Sequence, residues 1–258
     1  MMLVSSLSDH ICVCDPTLLQ HLGDRGLIIR VVHQSESLVL AELQTGVHDL
    51  DAVLNDMGVT RTPRYLDRFY LCFSSGDGHQ RLLDAFFALI GYEYDSLVDV
   101  HRNQHNIRLL FELIEHEIGD IQGKTLVDFG CATGLSIEIA RSHGTVLLGC
   151  DSCPTMRSIA ASRGLRVLAP SEFTELPMGS VDAVLASYVF HLIPDFSSFE
   201  NVWGRVRVGG VLAANLHKNQ GYDPLSGAMR KRNATEISPA PAGGERHGRY
   251  LVYRKVTN

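Results

Sequence analysis

The sequence predicts an α/β fold with a smaller α+β region in front of it, and three observations carry that prediction. From about Lys124 onward, short β-branched runs alternate with amphipathic helical stretches, the pattern of a parallel sheet with crossover helices. Before residue 100 the alternation is missing: strand-like runs and helical stretches occur, but not in turn. The chain has 258 residues, 45% hydrophobic and 20% charged, enough to bury a full core without disulfides or metals. We therefore expect residues 1–98 to form an N-terminal α+β region that supplies a lid, substrate contacts or the contact of a homodimer. Residues 99–258 should form the α/β domain.

The elements follow from local pattern. LIIRVV and SLVLAEL read as a hairpin, with helical stretches around Asp49–Met57 and Gln80–Ile90 and a longer helix over His101–Ile118. TLVDFG is the first strand of the α/β part and LSIEIARSHG its helix. VLLGCD and PTMRSIAASRG form the next pair, the helix ended by Gly164. LRVLAP is a third strand and VDAVLASY a fourth. SFENVWGRVRVGG reads as a helix closed by glycines, GVLAANLH as a fifth strand and RYLVYRKV as the last.

Composition narrows the function. The net charge of −6 gives no large basic field for a phosphate backbone, so a small-molecule substrate is favoured over nucleic acid. No apolar run reaches the roughly 18 residues that span a bilayer, and MMLVSSLSDH lacks the basic start of a signal peptide. A cytoplasmic protein without membrane contact is expected, with its six cysteines reduced.

The informative segment is VDFGCATG, Val127 to Gly134, between a strand and a helix. Ligands of open parallel sheets sit outside the carboxyl ends of the strands, which is where this turn lies. Gly130 and Gly134 allow a sharp turn and a close approach of backbone to ligand. The helix start behind them offers unpaired N–H groups. At the end of the second strand, 23 positions after Asp128, stands Asp151. A carboxylate there can accept hydrogen bonds from both hydroxyls of a ribose.

With these residues in place, the sequence resembles the class I S-adenosylmethionine-dependent methyltransferases, in particular those acting on small molecules. VDFGCATG looks like their first motif and CDSCPTM like their acidic second-strand end. SEFTELP looks like their third-strand segment, SVDAVLASYVFHLIPD like the fourth strand and its turn, and RVRVGGVLAANL like the helix, glycine pair and fifth strand. The resemblance implies a Rossmann-like three-layer sandwich with a mostly parallel seven-stranded sheet, and S-adenosyl-L-methionine as cofactor. By the same resemblance Asp128, Gly130, Cys131, Ala132 and Gly134 would surround the cofactor's methionine part, and Asp151 with Ser152 would hold its ribose. Met156 would flank the adenine, Glu172 and Phe173 would meet its polar edge, and Ser187 would complete the set. The family usually has glycine where Ala132 stands, and the tail beyond Leu216 places its sixth and seventh strands only loosely.

Other readings compete with this one. A nicotinamide-dependent oxidoreductase would need GxGxxG, but GCATGLS lacks the middle and third glycines. A cofactor-binding partner without chemistry would show a degenerate loop or lack the ribose acid, and neither defect is present. Enzymes that methylate base amines carry Asn/Asp-Pro-Pro-aromatic after the fourth strand, where this chain has ASYVFHLIPD. Neither Cys150 with Cys153 nor His101 with His105 has further ligands in the right spacing, so no metal is expected. His191, just past the fourth strand, is the candidate general base. Tyr188 could orient the acceptor. The helix at His101–Ile118, with Tyr92 or Tyr94, is the expected lid.

Overall fold

The structure is a computed structural model that describes residues 10–44, 54–56, 58–61, 66, 68–73, 78–190, 192, 197–216, 222–232, 234–237 and 249–257. Two compact units divide the chain, Met1–Val98 and Asp99–Asn258.

The first unit holds β1 (Ile11–Cys14), α1 (Pro16–Asp24), β2 (Ile28–Gln34), β3 (Val39–Leu43), β4 (Thr60–Arg61), β5 (Phe69–Phe73), α2 (Gly78–Ile90) and the short α3 (Tyr94–Leu97). Its sheet runs β2-β3-β1-β5-β4. The expected hairpin is present as β2 and β3. The strand at its centre, β1, was missed: ICVC is buried on both faces and shows no alternation. Asp15 starts α1 by accepting a hydrogen bond from the Leu18 N–H at 2.9 Å. The core beneath that helix holds Cys12, Cys14, Leu18, Leu22, Val39 and Tyr70. Of the helical stretch expected at Asp49–Met57, residues 49–53 and 57 lie outside the described residues.

The second unit contains α4 (Val100–Ile118), β6 (Thr125–Phe129), α5 (Ile137–Ser142), β7 (Val146–Cys150), α6 (Pro154–Ser162), β8 (Arg166–Leu168), α7 (Pro170–Glu175), β9 (Val181–Ser187), α8 (Ser197–Arg205), β10 (Val206–Leu216), α9 (Tyr222–Arg230), β11 (Thr235–Ile237) and β12 (Arg249–Arg254). The sheet is seven-stranded in the order β11-β12-β10-β9-β6-β7-β8, with β12 antiparallel to both of its neighbours. From β6 the chain steps outward through β7 and β8, then crosses to β9 on the other side. That reversal puts a crevice at the carboxyl ends of β6 and β9.

Alternation along the strands feeds two cores. Leu126, Val211 and Ala213 face α4, α5 and α6; Val127, Leu212 and Ala214 face α7, α8 and α9. The sandwich therefore has three layers, as the resemblance implied. Lys255 closes the end of α8, its buried Nζ donating to the carbonyls of Trp203 (3.2 Å) and Val206 (2.8 Å).

Three sequence readings are corrected. The helix over His101–Ile118 is a layer of the sandwich rather than a lid: Asn106, Ile107, Leu110, Phe111 and Ile114 form its buried face, packed on β9 and β10. SEFTELP is not strand but mostly helix, because Pro170 presets the first turn and Glu172 reaches back to the Ala169 N–H. In SFENVWGRVRVGG the helix stops at Arg205, and VRVGG already belongs to β10. Its glycine pair serves an irregularity in the strand, not a helix cap: Gly209 has φ +79° and donates to the Lys255 carbonyl at 2.8 Å.

Candidate functional site

The turn between β6 and α5 is built from backbone outward. Three of its residues take left-handed conformations: Gly130 (φ +74°), Ala132 (+44°) and Gly134 (+79°). The amides of Gly130 and Cys131 both donate to the Cys150 carbonyl, at 2.7 and 3.1 Å, pinning the turn to the end of β7. A Cβ on Gly130 would lie 2.4 Å from Val189 Cγ2, and one on Gly134 would lie 3.0 Å from Ala160 Cβ. The space the glycines leave is thus filled by protein, the segment after β9 and the face of α6. That is a local reason for both, beside the ligand approach expected from sequence.

Ala132 pays a steric cost that glycine would not. A Cβ in the left-handed region costs roughly 1–2 kcal/mol, and glycine's extra chain entropy returns about 0.5–1. Ala132→Gly is therefore expected to stabilise the protein by about 0.5–1 kcal/mol, raising the urea midpoint. A lowered midpoint would show that the Ala132 methyl packs productively.

Two carboxylates flank the turn. Asp128, buried in β6, accepts a short hydrogen bond from the Ser136 hydroxyl. Asp151 accepts with both oxygens: Oδ2 from the Ala132 N–H and Oδ1 from the Cys153 N–H, each at 2.9 Å. Its side chain thereby joins the β6 turn to the start of α6. Arg157 holds the same segment from behind, Nη1 donating to the carbonyls of Asp151 (2.9 Å) and Ser152 (2.6 Å). Arg157 was not picked out from sequence; its only signal was a basic residue one turn after Pro154.

Residues 127–214 match the sequence model of the methyltransferase domain family. Among solved structures, magnesium protoporphyrin IX methyltransferase from Synechocystis PCC 6803, with bound S-adenosylmethionine, superposes with a TM-score of 0.52 at 15% identity, covering 71% of this chain and all of that one. A possible histamine N-methyltransferase from Thermotoga maritima gives 0.47 at 17% identity over 66% and 97% of the two chains. No curated protein matches the sequence. The second unit has the Rossmann-like fold of the methyltransferases and carries the sequence pattern of their domain over residues 127–214. S-adenosylmethionine is the cofactor bound by the Synechocystis enzyme.

The donor set fits that cofactor. One buried carboxylate stands beside the turn, suited to an ammonium, and a second spans it. Asp151 accepts from two backbone amides, one in the β6 turn and one at the start of α6, so its carboxylate is fixed at the end of β7 where the ribose of such a cofactor would lie. Ser152 and Ala132 are half-buried around it, and Met156 lies buried in the first turn of α6. Cys131 is buried against Gly149, and that burial pushes its thiol well above the usual range. Ser187, at the end of β9, pairs with Asn215 of β10.

The remaining candidates are placed as follows. Phe173 is buried on α7 with its ring 6.1 Å from that of Phe129, a core position. Glu172 is exposed and its Oε2 accepts from the Ala169 N–H at 2.6 Å. His191 lies outside the described residues. His101 and His105 are exposed on α4, while Cys150 and Cys153 are buried free thiols. Among the described residues no group of three or more His, Cys, Asp or Glu is placed to hold a metal, and no helix is long and apolar enough to cross a membrane.

Within the second unit Asp128 has an unusual titration. Burial raises its pKa from 3.8 to about 7, the Ser136 bond opposing the rise and the nearby Asp151 charge adding to it. Between about pH 4 and 7 the folded chain holds a proton that the unfolded chain has lost, so raising the pH through that window removes stability. Asp128→Asn should shed this dependence. In urea unfolding the variant's stability relative to the parent is expected to be higher at pH 8 than at pH 5; an equal difference at both would contradict the assignment.

Proposed function

We propose that the chain is an active S-adenosylmethionine-dependent methyltransferase that transfers a methyl group to a small-molecule acceptor in the cytoplasm. The observation that carries this reading is the Asp151 bridge. A single carboxylate fixes the β6 turn and the α6 start at once, at the strand end where a ribose would lie. Asp128 would meet the ammonium of the cofactor, the Gly130–Gly134 turn its carboxylate, and Asp151 with Ser152 its ribose. Met156, Glu172, Phe173 and Ser187 would border the remainder.

Bound there, S-adenosylmethionine supplies a methyl group made electrophilic by a sulfonium. The chain's work is then to align the acceptor's nucleophile with that methyl and to keep water out, so positioning carries most of the rate. Net charge −6 and the lack of an Asn/Asp-Pro-Pro-aromatic segment after β9 support a small acceptor over a nucleic acid. His191 is placed by sequence to take a proton from the nucleophile. His191→Ala should cut turnover by about a hundredfold or more with little change in cofactor affinity; unchanged turnover would leave it without that role.

Thermal unfolding tests the reading directly. S-adenosylhomocysteine at a hundredfold excess over Kd should stabilise the fold by about 2.7 kcal/mol, and NAD should not. Stabilisation by NAD alone would replace the methyltransferase with an oxidoreductase.

A further inference from the structure

The segment that follows β9 is laid directly on the cofactor turn. Val189 lies over Gly130, where an added Cβ would meet its Cγ2 at 2.4 Å. Phe190 is buried, and its ring stacks on that of Phe129, the last residue of β6, with centroids 6.2 Å apart. Consecutive residues of one segment thus cover consecutive residues of the other. Whatever sets the path of the chain at residue 188 therefore sets how the turn is held from this side.

That path is an unfavourable one. Tyr188 has φ +57°, a left-handed conformation seldom taken by a side chain of that size. Such a backbone persists only where its surroundings over-determine it. The Tyr188 amide donates to both the carbonyl (3.2 Å) and the Oδ1 (2.9 Å) of Asn215, a fully buried residue of β10. At the far end of the side chain, the Tyr188 hydroxyl accepts from Asn106 Nδ2 at 2.8 Å.

Asn106 is itself fixed. It is fully buried on α4, and its Oδ1 accepts from the Tyr250 hydroxyl at 2.7 Å. Tyr250 stands on β12 at the position paired with Asn215. The residues therefore close a ring, from Tyr188 through Asn106 and Tyr250 and across the sheet to Asn215, and back to the Tyr188 amide. Filling space does not call for an asparagine here, since the rest of the buried face of α4 is Ile107, Leu110, Phe111 and Ile114. Buried polar bonds add little net stability and act mainly by admitting one arrangement of the groups they join.

We propose that Asn106 is a positioning residue for cofactor binding: acting through Tyr188, it holds Val189 and Phe190 on Gly130 and Phe129 and keeps the turn in the form that takes S-adenosylmethionine. Helix α4 and the tail strand β12 thereby bear on a turn formed between β6 and α5. This inference rests on the proposed methyltransferase function.

The test compares Asn106→Leu, Tyr188→Phe and Lys255→Met in the full chain. Each is followed by urea unfolding, by calorimetry with S-adenosylhomocysteine, and by the NMR resonance of the Gly130 amide without ligand. Asn106→Leu and Tyr188→Phe should each weaken S-adenosylhomocysteine by about tenfold and shift the Gly130 amide. Both break the same bond, so the double variant should lose no more than the more affected single one. Lys255→Met removes a buried donor to the Trp203 and Val206 carbonyls, at the opposite end of β10 from Asn215. It should lower stability, leave affinity within about twofold and leave the Gly130 amide in place. Parent-like affinity in folded Asn106→Leu, an unmoved Gly130 amide, or an equal loss of affinity in Lys255→Met would each overturn the proposal. If Asn106→Leu does not fold, Tyr188→Phe decides it by the same readouts. Failure of the parent chain to bind S-adenosylhomocysteine would instead bring down the methyltransferase reading, and the Gly130 amide would still report whether Asn106 acts on the turn.

Discussion

Gly130→Ala is expected to abolish S-adenosylhomocysteine binding and to lower stability by about 2–5 kcal/mol, the sum of two separate effects. The first is conformational: at φ +74° a Cβ meets its own carbonyl, worth roughly 1–2 kcal/mol. The second is steric. The added methyl would lie 2.4 Å from Val189 Cγ2, so either the turn or the segment after β9 must shift. Such overpacking costs typically about 1–3 kcal/mol. Both shifts displace the amides that bind the Cys150 carbonyl and hold the turn to β7. A double variant, Gly130→Ala with Val189→Ala, should recover the steric part and leave the conformational part, as a coupling energy in a urea-unfolding cycle. Additive losses would mean that Val189 is not what the methyl strikes.

Asp151→Ala is expected to weaken S-adenosylhomocysteine by more than about a hundredfold in calorimetry. From sequence, the carboxylate's bonds to the ribose alone predict a loss of roughly ten- to a hundredfold, at about 1.5–3 kcal/mol each. The structure adds a second loss, because the same carboxylate anchors the amides of Ala132 and Cys153. Removing it frees the turn from α6 as well as stripping the ribose of its partner. Asp151→Asn keeps one oxygen acceptor and should fall between the two. The variant also removes a charge that raises the Asp128 pKa, so its stability should vary less steeply with pH between 5 and 8. Wild-type affinity in Asp151→Ala would refute the bridge.

What the sequence made legible, and what it hid, have the same physical origin. β6, β7 and β9 are central parallel strands, so their β-branched and aliphatic runs stand out against amphipathic helices. The Gly130–Gly134 turn and Asp151 were readable because left-handed backbone and strand-end carboxylates leave few residue choices. The errors fell where one pattern serves two structures. The pair Gly209–Gly210 reads as a helix stop but accommodates a bulge, a tertiary feature set by the partner residue Lys255 just after β12. SEFTELP carries no strand of its own, since Pro170 and Glu172 start a helix. In the tail, α9 and β11 are short and embedded in Gly- and Pro-rich sequence that masks their periodicity.

The site was partly hidden for another reason. A hydrogen bond between residues 82 positions apart, as between Asn106 and Tyr188, leaves no trace in local pattern. Asn106 read as one polar residue in a helix expected to be a lid, and only packing shows that it is buried. Arg157 acts on backbone carbonyls, which any sequence possesses, so its role could not be inferred from a partner's identity.

The most direct test of the central claim is a crystal structure with S-adenosylhomocysteine bound. The account predicts both ribose hydroxyls within hydrogen-bonding distance of the Asp151 carboxylate and the homocysteine moiety against the Gly130–Gly134 turn. A ribose bound elsewhere, or a turn that stays closed on Val189 with no ligand beside it, would contradict it.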